Sequence, residues 1–61
     1  GVPDSAHIKG LAADIRCTDS WDRFYLISAA LEYTDRIGVG KDFIHIDIDN
    51  NLPHPRIWTY N

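Results

Sequence analysis

The sequence predicts a small α+β domain in which one amphipathic helix packs on a short, mainly antiparallel sheet. Three observations predict it. Residues Phe43 to Ile48 alternate strictly, with isoleucine at 44, 46 and 48, which is the period of a half-buried strand. Phe24, Ile27 and Leu31 recur at i, i+3 and i+7 behind a Thr18-Asp19-Ser20 start signal, the pattern of an amphipathic helix. Between them, Ile37-Gly38-Val39-Gly40-Lys41-Asp42 is too glycine-rich for helix and reads as a short strand entering a hairpin turn.

Taken in order, Gly1 to Ser5 is loop. Pro3 and Asp4 favour turns, and Ser5 caps a short helical turn through His7 and Ile8 that Gly10 ends. Leu11 to Cys17 suits a strand with Ala13, Ile15 and Cys17 on one face and Asp14 and Arg16 on the other. The helix is expected over Ser20 to Tyr33, with Asp19 or Ser20 as N-cap and Asp22 in the first turn, where a negative charge suits the dipole. Ala30 widens its apolar stripe, and Glu32, Asp35 and Arg36 are expected on its solvated face and frayed end.

Ile37 to Val39 and Phe43 to Ile48 form the hairpin around Gly40-Lys41-Asp42. The isoleucines of the second strand face the helix, which leaves Phe43, His45 and Asp47 on the opposite face. Two prolines and two asparagines make Asn50 to Pro55 a loop. Arg56 to Tyr60 either adds a last strand or lies across that opposite face.

The totals narrow the function classes. At 61 residues the chain, residues 1–61, is one domain at most, and so short a chain buries only about 60% of its unfolded surface. Its single cysteine, Cys17, rules out an internal disulfide framework, so a metal or a partner is expected to contribute stability. Cys17 itself, on the Ile15 face, is expected as a buried small apolar residue.

The net charge of −3 spreads six basic residues among nine acids without a basic stripe, which argues against nucleic acid bound through its phosphates. No apolar run reaches membrane-spanning length, so no membrane insertion is expected. The opening Gly1-Val2-Pro3-Asp4 has no charged-then-apolar leader pattern, and a start without methionine suggests a fragment or a processed chain.

Chemistry concentrates in two stretches. Ser5-Ala6-His7-Ile8-Lys9-Gly10-Leu11-Ala12-Ala13-Asp14 sets an imidazole and a carboxylate seven residues apart, and Phe43-Ile44-His45-Ile46-Asp47 supplies a second imidazole. Two histidines and an aspartate brought together are the ligand set of an open zinc site, with a fourth position for water. Each has a bland counterpart: His7 a surface histidine, Asp14 a strand-edge acid, His45 a satisfied core histidine. Arg16 shares a face with Asp14 and could meet a substrate carboxylate, or simply pair with a nearby acid. His54 sits between prolines in a loop, and Trp21 and Trp58 read as core or rim.

The pattern Ser5-x-His7-x-x-Gly10-x-Ala12-x-Asp14, followed by Phe43-Ile44-His45-Ile46-Asp47 and Trp58, resembles the zinc D-Ala-D-Ala carboxypeptidase-like family of peptidoglycan peptidases, the M15 type. The resemblance covers nearly the whole chain, including the Ile37-Gly38-Val39 hairpin. It implies a Hedgehog/DD-peptidase-like fold and Zn2+ held by His7, Asp14 and His45. It also implies Ser5 near the substrate and hydrolysis of amide bonds in stem peptides or cross-bridges by a zinc-activated water. A bacterial cell envelope or phage-encoded lysis machinery is the implied setting.

Two departures accompany it. The family's upstream arginine segment, a Ser-Gly-Tyr-Arg-like motif, has no counterpart here, so the chain is expected to be the C-terminal half of the domain. Several relatives place a glutamate three residues before the last histidine ligand, where this sequence has Asp42. Asp42 is thus the candidate proton acceptor. Asp47 is the runner-up, its commoner role being to orient a ligand histidine. The competing expectation is a zinc-stabilised binding or structural module without turnover. A third is a fragment that works only as a homo-oligomer or with a missing N-terminal segment.

Overall fold

The computed structural model describes residues 10–60. Ser5 and His7, and the short helical turn expected around them, lie outside the described residues. The described elements are β1 (Ala12–Arg16), α1 (Ser20–Ala30), β2 (Arg36–Val39), β3 (Phe43–Asp47) and β4 (Arg56–Thr59). They form one helix on a four-stranded sheet of order β1-β3-β2-β4, an α+β arrangement as expected. β3 runs antiparallel to both β1 and β2, whereas β4 lies parallel to β2.

That parallel pair makes the sheet mixed, and its cause is local. β3 ends beside the start of β2, because Asp47 pairs with Arg36, so the chain re-enters the sheet from the same end. Asp35 draws it in: its carbonyl accepts from the Arg56 N–H at 2.9 Å and its carboxylate meets His54 Nδ1 at 3.2 Å. Arg36 donates to the Pro53 carbonyl from the same corner. The sequence pattern assigned Asp35 and Arg36 to a solvated helix end; instead they build the start of β2 and grip the loop that leads to β4.

The helix begins as expected. Asp19 is the N-cap, and its carboxylate accepts from the Asp22 N–H at 3.1 Å, satisfying one of the donors that a helix start leaves open. It ends three residues before Tyr33. Glu32 N–H reaches the Ala29 carbonyl and Tyr33 N–H the Ala30 carbonyl, three-residue spacings that tighten and close the last turn.

The buried apolar core is Ala30, Ile37 and Ile44, with Cys17, Leu26, Ile27, Val39 and Ile46 packed around it. Ile44 and Ile46 therefore face the helix as the alternation requires. Ile48, beyond the end of β3, is exposed.

The expected helix stripe needs correction. Ile27 and Ala30 pack inward, but Phe24 and Leu31 are 65% and 57% exposed, and Leu26 takes the inward place. Arg23 explains the rotation. Its guanidinium donates to the carbonyls of Gly40 at 2.7 Å, Lys41 at 3.1 Å and Cys17 at 3.4 Å. The helix turns its 23-26-27-30 face to the hairpin to make those contacts. No helix among the described residues is long and apolar enough to cross a membrane.

Candidate metal centre

The sheet face opposite the helix carries the site. Pairing sets Asp14 of β1 opposite His45 of β3, His45 opposite Gly38 of β2, and Gly38 opposite Trp58 of β4. Residues opposed across a sheet share a face, so these four form one row. Ala12, Asp47, Arg36 and Arg56 form the row beside it.

A chain of polar contacts crosses both rows. Arg36 Nε donates to Asp47 Oδ1 at 2.5 Å, Asp47 Oδ2 lies 2.7 Å from His45 Nε2, and His45 Nδ1 lies 2.9 Å from Asp14 Oδ1. His45 is 6% exposed and Asp47 1%, while the Asp14 side chain is half exposed. Among the described residues no buried side-chain polar atom lacks a hydrogen-bond partner.

The proton arithmetic of this chain is informative. Burial pushes the Asp47 carboxyl upward, but the hydrogen bonds from Arg36 and His45 and the Arg36 charge outweigh it and hold the group below its ordinary value. Asp47 is thus an ionised acceptor near neutrality, and His45 Nε2 must be the donor toward it. A neutral imidazole has only one N–H. Nδ1 lies 2.9 Å from the Asp14 carboxylate, where it either donates a hydrogen bond to that oxygen or could share a metal ion with it.

The distance fits a metal with little movement. Tetrahedral ligands about 2.0–2.1 Å from zinc stand roughly 3.3 Å apart, a few tenths of an ångström wider than the observed gap. A histidine whose second nitrogen donates to a carboxylate is also the usual form of a ligating imidazole. Asp14 and His45 are the described members of the expected ligand set; among the described residues no group of three histidine, cysteine or acidic side chains is arranged to hold an ion. His7, the expected third ligand, lies outside them.

Trp58 walls the site. Its ring sits 5.5 Å from that of His45 and beneath the Arg36 guanidinium, 4.9 Å from it. Gly38 makes room for it, because a Cβ there would come within 2.8 Å of the indole and of the Tyr60 hydroxyl. Tyr60 in turn contacts the Phe43 ring at 5.0 Å.

The remaining expected residues fall at the border. Arg16 lies on the Asp14 face, and its guanidinium meets the Asp42 carboxylate at 3.4 Å, both exposed. The Asp42 side chain therefore meets Arg16. Asp47, the runner-up proton acceptor, lies 2.7 Å from His45 Nε2. Cys17 packs partly buried against the core.

Residue reasoning missed Arg36, placed on a frayed helix end, and the need for glycine at 38. The hairpin itself carried the signal, since a turn centred between Lys41 and Asp42 sets 36 opposite 47 and 38 opposite 45. No family model, no curated protein and no solved structure matches this chain.

Proposed function

We propose that this chain is part of a zinc-dependent peptidase that hydrolyses amide bonds of peptidoglycan stem peptides or cross-bridges, on a DD-peptidase-like scaffold. The observation that carries the proposal is the approach of His45 Nδ1 to Asp14 Oδ1 at 2.9 Å, with the other ring nitrogen engaged by Asp47. His7 completes the ligand set in this scheme. Zinc, when bound, supplies a Lewis acid that polarises an amide carbonyl and lowers the pKa of water to about 7.

The chain's own residues supply the rest. Asp47 fixes the ring of His45 and holds its proton at Nε2. Asp42, exposed at the edge of the face, is the side chain available to accept a proton from water and return it to the leaving amine. Arg16, beside it, offers a cation to a substrate carboxylate once it exchanges its contact with Asp42. Ser5 takes a place next to the substrate. Trp58 and Tyr60 form an apolar wall that limits water on one side.

The Arg16–Asp42 contact also favours a second reading, a zinc-bearing binding module without turnover, because it occupies the carboxylate that catalysis needs. One experiment separates the two. Muropeptides incubated with the zinc-loaded chain release D-alanine or a cleaved stem, and Asp42→Asn abolishes that release, if the chain is a peptidase. Zinc retention with no cleavage product supports the module.

A further inference from the structure

We propose that Arg36 is a positioning residue for the candidate metal centre, acting on His45 through Asp47; the metal part of this inference rests on the function proposed above. Arg36 stands opposite Asp47 across the β2–β3 pair. Its Nε occupies Asp47 Oδ1 at 2.5 Å, and the Asp49 backbone N–H approaches the same oxygen at 3.4 Å. With Oδ1 committed, the carboxylate cannot rotate, and Oδ2 is the atom left to accept from His45 Nε2 at 2.7 Å.

The guanidinium is fixed from two further sides. Its Nη1 donates to the Pro53 carbonyl, and the Trp58 ring lies 4.9 Å from it, a cation–π contact in a poorly hydrated place. The Arg36 side chain is 11% exposed and that of Asp47 1%. Guanidinium geometry matters here, because one planar group must reach a carboxylate, a carbonyl and an indole face together.

The consequence reaches Nδ1. Arg36 holds the Asp47 carboxylate in one orientation through Oδ1. Without that contact the carboxylate can rotate away from Nε2, and the ring loses its fixed orientation toward Asp14. Partners one step behind a ligand histidine typically change metal affinity ten- to a hundredfold. Arg36 lies two steps behind and is expected to act through the same contact.

The test is zinc titration of the wild-type chain, Arg36→Gln, Arg36→Lys and Arg56→Gln, with the His45 ring protons followed by nitrogen-resolved NMR in the metal-free state. Arg56, an exposed neighbour in the same row whose guanidinium donates to the adjoining Pro55 carbonyl, is the charge control. Expected are zinc affinity ten- to a hundredfold weaker in both Arg36 variants and wild-type affinity in Arg56→Gln. The slowly exchanging Nε2 proton of His45 is expected in wild type and lost in the Arg36 variants. A folded Arg36→Gln that binds zinc within twofold of wild type and keeps that proton overturns the proposal. If Arg36→Gln does not fold, Arg36→Lys decides: it keeps the charge but not the planar fork, so wild-type affinity there also overturns it. A wild-type chain that binds no zinc rejects the metal centre, and the Nε2 proton alone then tests whether Arg36 positions His45.

Discussion

Arg36 and Asp47 face each other across two strands and meet at 2.5 Å with both side chains almost wholly removed from water. A buried ion pair of this kind adds little net stability compared with apolar residues of the same volume, but removing one partner leaves the other charge stranded. Asp47→Asn keeps the shape and deletes the charge. It is expected to destabilise the fold by about 3 kcal/mol, measured as a lower urea midpoint with an unchanged slope.

Arg23 anchors the helix to the hairpin through the Gly40 and Lys41 carbonyls and to the β1–α1 connection through that of Cys17. Arg23→Met retains the aliphatic stem and removes the donors. The expected cost is about 2 kcal/mol, read from thermal or urea unfolding, with faster amide exchange at Lys41 and Asp42 as the local signature.

The rotation of that helix gives a paired test. Phe24→Ser, on the exposed side, is expected to change stability by less than about 0.5 kcal/mol, whereas Ile27→Ala, on the inward side, costs about 2 kcal/mol or more. Comparable losses at both positions would restore the stripe that the spacing alone predicts.

These contrasts show what the sequence carried. The alternation of Phe43 to Ile48 placed His45 and Asp47 on one face because a strand has only two faces and three isoleucines had claimed the other. Asp19 was legible as a cap because its side chain bonds within its own turn. Phe24 and Leu31 misled because apolar spacing ignores the hydrogen bonds of Arg23, which decide the helix rotation. Arg36 was hidden for a similar reason: its partners lie in β3, in β4 and in the loop between them, far along the chain. The parallel placement of β4 depends on the Asp35 contacts with His54 and Arg56, which no local pattern encodes.

Gly38 offers a test of the aromatic wall. A methyl at this position would meet the Trp58 indole and the Tyr60 hydroxyl at 2.8 Å, closer than packing allows. Gly38→Ala is expected to push Trp58 off the sheet at a cost of about 1–3 kcal/mol. The measurement is the shift of the Trp58 indole N–H and of the His45 ring protons relative to wild type.

The central claim is that Asp14 and His45 share a metal ion, and zinc content after equilibrium dialysis tests it most directly. The account predicts one zinc per wild-type chain, and substoichiometric zinc in both Asp14→Ala and His45→Ala while Arg56→Gln retains it fully. A folded wild-type chain that emerges without zinc, or a His45→Ala chain that keeps a full equivalent, would contradict it.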